Sequence, residues 1–189
     1  MDIVSFFQHP SQNLDQDQAR LLAQAWHVAA VKRGSTISMQ GEPSTQELII
    51  LDGRAVSQII SDDGHEVCVG LYDSPTVVTP HIARSKDGLA LASIVATRDG
   101  LVASMPSDAL TQMMLSSVPV RDWANAVLQH ELAHKAEREW ALAALPGRKR
   151  LSWFRQAYPG FEDKFSHGLI ASFLGITPVT FSRLRSAEK

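Results

Sequence analysis

The stretch that most constrains how this chain can fold is residues 167–186, HGLIASFLGITPVTFSRLRS. Ile170, Ala171 and Leu174 recur at helical spacing and give a first short helix one apolar face. Gly175 follows at once, where the chain must leave that helix with φ > 0, a conformation that costs Gly little. Thr177 can cap a second helix, because its hydroxyl accepts an otherwise unpaired N–H, and Pro178 suits the first turn, where its missing N–H is not needed. Phe181 and Leu184 then fall three apart on one face. Ala171, four before the Gly, is small enough to let the two helices cross closely. This is the spacing of a helix-turn-helix, whose second helix, residues 178–186, is the one that can lie in a DNA major groove.

With 189 residues the chain can hold one large domain or two small ones. No apolar run approaches the roughly 20 residues that cross a bilayer. The first residues, MDIVSFFQHPSQNLDQDQ, are acidic and amide-rich, unlike a basic signal peptide. A cytoplasmic protein with no membrane partner is expected. The single cysteine, Cys68, excludes an internal disulfide and a cysteine-ligated iron–sulfur cluster, and it reads as a small core hydrophobe. No resident cofactor is expected. A net charge of −2 speaks weakly against nucleic acid, but the charge is unevenly distributed. Residues 1–120 hold 7 Lys+Arg against 13 Asp+Glu, or −6, and residues 121–189 hold 11 against 7, or +4. The basic part is the part with the helix-turn-helix, which suits a chain with one DNA-facing end.

Residues 14–26 read as a helix, with Leu14, Ala19, Leu22 and Trp26 in helical register and Asp15 and Asp17 in the first turn. After Gly34, short segments rich in Val, Ile and Thr alternate with turn clusters: GSTISMQ, ELIILDG, RAVSQIISDDG, HEVCVGLYD, LALASIVATRDG and LVASMP. Asp52-Gly53, Asp63-Gly64 and Asp99-Gly100 read as hairpin dipeptides. Regularly spaced short strands, with no βαβ alternation and no Gly-rich phosphate loop, predict an antiparallel sandwich, barrel or jelly roll. From residue 107 the period becomes helical again. Pro119 starts or kinks a long helix reaching to Leu145. In it Trp123, Val127, His130, His134, Glu137 and Ala141 follow a 4-3-4-3-4 spacing, a heptad-like seam that turns polar halfway. Pro146-Gly147 breaks this helix and marks a hinge. Residues 148–157, RKRLSWFRQA, are a further helix with Leu151 and Phe154 inward, ended by Tyr158-Pro159-Gly160. Trp26, Trp123, Trp140 and Trp153 read as core or interface residues.

Several of these features, taken in order, match one family. They are Arg33-Gly34-Ser35-Thr36-Ile37 with Gln40-Gly41-Glu42, the strand and turn LIILDGR over 48–54, and Asp63-Gly64-His65-Glu66-Val67, followed by the long helix, the break and the helix-turn-helix. Through most of its length the chain thereby resembles the Crp/Fnr superfamily of transcription regulators. Its tail, SRLR close to the end, resembles the short subgroup without a β-wing. The resemblance implies an α+β fold with three parts: a cyclic-nucleotide-binding-like antiparallel β jelly roll as sensor over 1–117, a dimerisation helix over 118–145, and a helix-turn-helix DNA-binding domain over 146–189. It implies a non-enzymatic homodimer whose partner is double-stranded DNA, read at a near-palindromic site in successive major grooves. It also implies a candidate small-molecule effector that favours one arrangement of the tail about the 144–147 hinge.

One departure bears on that effector. Cyclic-nucleotide-binding members of the family carry a Gly-Glu pair after the central strands and, further on, an Arg-Ser-Ala run that grips the cyclic phosphate. Counted back from Ser93-Ile94-Val95-Ala96, the Glu position falls on Pro80 and the Arg and Ser positions on Ala90 and Leu91. A cyclic phosphate needs a charge partner and convergent donors. The effector is therefore not expected to be cAMP or cGMP in the usual mode, unless Arg84 moves in to compensate. Residues 75–85, PTVVTPHIARS, hold Thr76, Thr79, His81 and Arg84 and are the candidate effector-pocket lining.

On the second helix of the tail, Arg183 lies one turn beyond Val179 and away from Phe181 and Leu184. A guanidinium there can reach a guanine edge bidentately, for about 1–3 kcal/mol of discrimination. Thr177, Thr180, Ser182 and Arg185 are placed for phosphate contacts, which fix register without reading sequence. Ser166 and His167, opening the preceding helix, offer backbone amides to a phosphate. Val179 stands where some members carry a Glu that reads cytosine, which implies a different target, with Val179 against a thymine methyl.

Two other readings compete. His130-Glu131-Leu132-Ala133-His134 is formally HExxH, whose histidines at i, i+4 can ligate zinc with the Glu as base, the chemistry of a zinc-dependent hydrolase. Such an enzyme also needs a third ligand and a cleft around the helix. No metal is expected at His130 and His134, which lie in a charged helix where stacked histidines of two subunits would instead confer pH sensitivity. The second is a regulator-like dimer that has lost DNA binding and acts through protein partners. No Ser-His-Asp context, nucleophile elbow or paired-carboxylate motif points to catalysis.

Overall fold

A computed structural model of the chain describes residues 1–187. The chain divides into two compact units: Met1–Ser57 with Leu71–Leu132, and Gln58–Gly70 with the residues from 133 onward. The long helix contributes its residues up to Leu132 to the first unit and the remainder to the second.

In the first unit, helix α1 (Ile3–Phe7) is capped by Asp2, whose carboxylate accepts the Ser5 N–H at 2.9 Å. Helix α2 (Gln16–Gln24) opens with a reciprocal capping box between Asp15 and Gln18. The strands are β1 (His27–Val31), β2 (Thr36–Ser38), β3 (Gln46–Ile60), β4 (Glu66–Asp73), β5 (Thr76–Val77), β6 (Ser85–Lys86), β7 (Leu89–Ala90) and β8 (Ser93–Pro106). They form the expected antiparallel roll, ordered β1-β8-β3-β4, with β2 also on β8, β5 on β3, and β6-β7 as a separate hairpin. The β1–β8 register runs from His27 opposite Ser104 to Val31 opposite Gly100.

Strand β3 is buried on both faces. Ile49 and Leu51 join a core with Phe7, Leu22, Trp26, Met105 and Trp123, and Leu48 and Ile50 join a second with Tyr72, Val78, Ile94 and Val102. A strand covered on both sides needs a continuous apolar run, and LIIL supplies it. Helix α3 (Ser107–Ser116) and the first half of α4 (Val118–Ala144) close this unit.

Two of the expected hairpins are not turns. Asp52-Gly53 lies inside β3 and Asp99-Gly100 inside β8; Asp63-Gly64 does join β3 to β4. The dipeptide signal fails because the two glycines serve a close approach between strands. A Cβ on Gly53, at φ +92°, would lie 2.8 Å from the Asp99 carbonyl oxygen, and one on Gly100 would collide with the Asp52 backbone.

The second unit holds the rest of α4, α5 (Gly147–Ala157), α6 (His167–Phe173) and α7 (Pro178–Ser186), together with the tip of the β3–β4 hairpin. Leu151, Phe154, Phe165, Ile170, Phe173 and Phe181 are buried, and the Tyr158 ring centre lies 5.3 Å from Phe154 and 5.4 Å from Phe173. Cys68 is a core residue. Its amide donates to Ser172 Oγ at 2.9 Å, and burial pushes its thiol up to about 12. The Arg138 guanidinium lies 4.5 Å from the Phe173 ring centre and donates to the Phe173 carbonyl at 2.9 Å. Beside Pro146-Gly147, the expected hinge, Arg150 ties the end of α4 to its neighbours. Arg150 donates to the carbonyls of Leu142 (2.8 Å) and Leu145 (2.7 Å), left open by the end of α4, and to that of Leu174 (3.1 Å).

The heptad-like seam of α4 is also used differently. Trp123 is buried in the core of the first unit and Ala141 in that of the second. Both ends of the seam thus face their own chain. The large apolar side chains α4 leaves bare are Val118 (56% exposed), Leu132 (50%) and Trp140 (58%). Periodicity reports that a helix face is covered, and not by what. Among the described residues no helix is long and apolar enough to cross a membrane.

Candidate nucleic-acid interface

The helix-turn-helix forms as its residues require. Ser166 Oγ caps α6 by accepting the Leu169 N–H, and Thr177 Oγ1 caps α7 by accepting the Thr180 N–H at 3.1 Å. Gly175 turns the chain at φ +63°, and the Ile176 N–H returns to the Ala171 carbonyl at 3.0 Å. Phe181 is fully buried and anchors α7, with the His167 ring centre 5.4 Å from its own.

The other side of α7 is bare. Thr177, Val179, Thr180, Ser182 and Arg183 are exposed together. The Arg183 side chain makes no hydrogen bond or ion pair among the described residues. Arg185 differs: it is half-buried, pairs with Glu162 Oε1 at 3.2 Å and lies 2.7 Å from His167 Nε2. Arg155 holds the same carboxylate, and its hydrogen bond, reinforced by the Arg155 and Arg185 charges, keeps the Glu162 carboxyl below its ordinary range. Glu162 was not read from the sequence. Its signal is the acidic pair Glu162-Asp163 in an otherwise basic tail.

Of the four candidate effector residues, Arg84 is hydrogen-bonded to both Thr79 and His81 through their carbonyls. Thr76 lines a cleft with Gln12, Asn13 and His130. Thr79 is buried, its hydroxyl donating to Glu131 Oε2 at 2.8 Å and lying 3.0 Å from the Tyr72 hydroxyl. Burial pushes that Tyr72 hydroxyl up to about 12. His81 Nδ1 lies 3.5 Å from Glu47 Oε1. Arg84 is 7% exposed and donates to the Thr79 carbonyl (3.1 Å), Ser44 Oγ (2.9 Å) and the Gln46 carbonyl. Its guanidinium is engaged by its own chain. Glu47 and Ser44 were also missed, although a Glu opening the apolar run ELIIL is a visible anomaly.

His130 and Glu131 are neighbours on α4, and His134 follows one turn on. His130 is exposed, Glu131 is drawn to Thr79, and the His134 ring centre lies 6.1 Å from that of Tyr158.

No protein-family model matches the sequence, and no curated protein does. Solved structures do match. FixK2 from Bradyrhizobium japonicum is 18% identical, with 86% of this chain and 83% of that one covered and a TM-score of 0.73. A CooA mutant from Carboxydothermus hydrogenoformans is 14% identical, with 99% and 84% covered and a TM-score of 0.76. A transcriptional regulator of the Crp/Fnr family from Eubacterium rectale is 19% identical, with 96% and 87% covered and a TM-score of 0.70. At these identities the likeness is one of fold, and it extends over roll, long helix and helix-turn-helix, 86–99% of the chain.

Proposed function

We propose that the protein is a homodimeric, cytoplasmic, DNA-binding transcription regulator of the Crp/Fnr type. The observation that carries this reading is the outer face of α7, where Thr177, Val179, Thr180, Ser182 and Arg183 are exposed on a helix anchored by a fully buried Phe181. A helix held by one face and polar along the other suits the major groove. Arg183 would reach a guanine edge, Val179 a thymine methyl, and Thr177, Thr180 and Ser182 the phosphates. Ser166 and His167 add amides to a phosphate, and Arg185 joins them on release from Glu162.

The dimer would form along α4. Leu128, Leu132, Ala136 and Trp140 recur every four residues, and Leu132 and Trp140 are half exposed or more. A second α4 laid on this stripe removes it from water. Two α7 helices then meet successive major grooves at a near-palindromic site. A small-molecule effector is part of this reading, but not cAMP in the usual mode, since the Arg84 guanidinium already serves acceptors of its own chain. Titration with cAMP is expected to leave DNA affinity unchanged.

Selection of bound sequences from a random DNA pool tests the reading. A near-palindrome is expected to be enriched. With Arg183→Ala, binding should persist while preference at one base pair per half-site is lost, at a cost of about 1–3 kcal/mol. Failure to enrich any sequence would overturn it.

A further inference from the structure

We propose that His167 is a proton-operated latch on Arg185: the neutral ring holds Arg185 against its own chain, and a proton on the ring releases it to a DNA phosphate. The proposal rests on the reading of α7 as the DNA-contacting helix, and it adds the event that frees one side chain of that helix.

His167 opens α6, directly after the capping Ser166. Its ring packs on the fully buried Phe181 of α7, with 5.4 Å between the ring centres. The Arg185 guanidinium nitrogen Nη1 lies 2.7 Å from His167 Nε2 and 3.4 Å from Nδ1. A guanidinium carries five N–H groups and no acceptor, so the ring nitrogen it meets must supply the lone pair. The contact therefore belongs to the neutral imidazole. An imidazolium has an N–H at both nitrogens, and it would set two cations against each other at hydrogen-bonding distance.

The other partner of Arg185 is shared. Arg185 Nε lies 3.2 Å from Glu162 Oε1, and the same carboxylate accepts from Arg155 at both Nε and Nη2. The charged groups that act on His167 are thus Arg185 from α7 and Glu162 from the turn before α6, with Arg155 of α5 bound to that carboxylate. With the ring neutral, one carboxylate serves two cations; with the ring protonated, it serves three. Arg155 keeps both of its hydrogen bonds. Arg185 has lost its second acceptor and stands on the last turn of α7, so it is the cation that leaves. Histidine is the side chain that changes charge between roughly pH 5 and 8, so the latch needs no extreme pH. Proton and DNA both favour the state with Arg185 away from the ring, and each therefore promotes the other. DNA binding should strengthen as pH falls, with one more phosphate contacted.

The full chain is tested in two ways. Without DNA, the ¹⁵Nε resonance of Arg185, identified by Arg185→Lys, is followed from pH 7.5 to pH 6 together with the His167 ring. It should shift towards the free-guanidinium position along the His167 titration. It should stay in place in His167→Gln, whose amide oxygen can accept at either pH. With DNA, affinity for a short duplex of mixed sequence is measured over a range of salt at both pH values. The wild-type log–log slope should steepen by about one unit on acidification, and His167→Gln should lose this step. Arg185→Gln should lose it as well, and decides the point if His167→Gln does not keep the wild-type circular dichroism. An Arg185 resonance that ignores the proton on His167 would overturn the proposal, and so would a step retained in Arg185→Gln. Failure to bind DNA at either pH would instead overturn the reading of α7, while the Arg185 resonance still decides the contact.

Discussion

Glu162 binds two guanidiniums, and that fixes the sign of its pH effect. Hydrogen bonding from Arg155, with the charges of Arg155 and Arg185, holds its folded carboxyl below the ordinary 4.5. A carboxyl depressed in this way stabilises the fold above the unfolded value, and the contribution disappears as pH falls through the folded one. Glu162→Gln should therefore lower stability at pH 7 by about 1 kcal/mol, a modest figure because the pair is partly solvated. The difference should shrink below pH 4.5, where the unfolded chain takes up the proton first. Urea titrations at pH 7 and pH 3 check this; a deficit independent of pH would assign the effect to packing. The same substitution frees Arg185, so DNA affinity should rise and the log–log salt slope should steepen by about one unit. Arg183 was readable in the sequence because helical period alone puts it opposite Phe181. The restraint on Arg185 was not, since its partner lies in a separate turn that only the fold brings near.

Glycines separate the elements that local pattern foretells from those it does not. Asp52-Gly53 and Asp99-Gly100 carry a strong hairpin signal, yet the long strands β3 and β8 run through them because the two backbones nearly touch there. That is a pairing between distant segments, invisible to a local window. Asp63-Gly64, the caps Asp15, Ser166 and Thr177, and the Gly175 turn were legible because each answers a need met within a few residues. For the same reason the helical period of α4 was legible, while what covers its Trp123 and Ala141 was not. Opposite outcomes follow for one substitution at two sites. Gly100→Ala drives a methyl into the Asp52 backbone and should cost about 1–3 kcal/mol. Gly168→Ala, in α6 with nothing within 4 Å of the new Cβ, should stabilise by about 0.5–1 kcal/mol through the unfolded state. Thermal unfolding of the two variants decides it, and equal destabilisation would refute the close approach of β3 and β8.

At the level of the whole molecule, the uneven charge and the bare stripe of α4 lead to one expectation. Residues 121–189 carry the positive excess, +4 from 11 Lys+Arg and 7 Asp+Glu, so attraction to DNA belongs to the carboxy-terminal part of the chain. One helix-turn-helix contacts few phosphates, and specific binding grows steeply when two are joined, since the second half-site is then met at high effective concentration. Leu132 is 50% exposed in the single chain, so Leu132→Asp should change the stability of the fold by no more than about 0.5 kcal/mol. In a paired α4 the same carboxylate would be buried against its symmetry mate, with like charges facing each other in a desolvated seam. The variant should therefore sediment as a monomer where the wild type sediments as a dimer. It should keep its circular dichroism, and it should lose both tight binding to a palindromic site and about half of the salt slope. A variant that unfolds instead would place Leu132 in the core of its own chain, and one that remains dimeric would move the interface off α4.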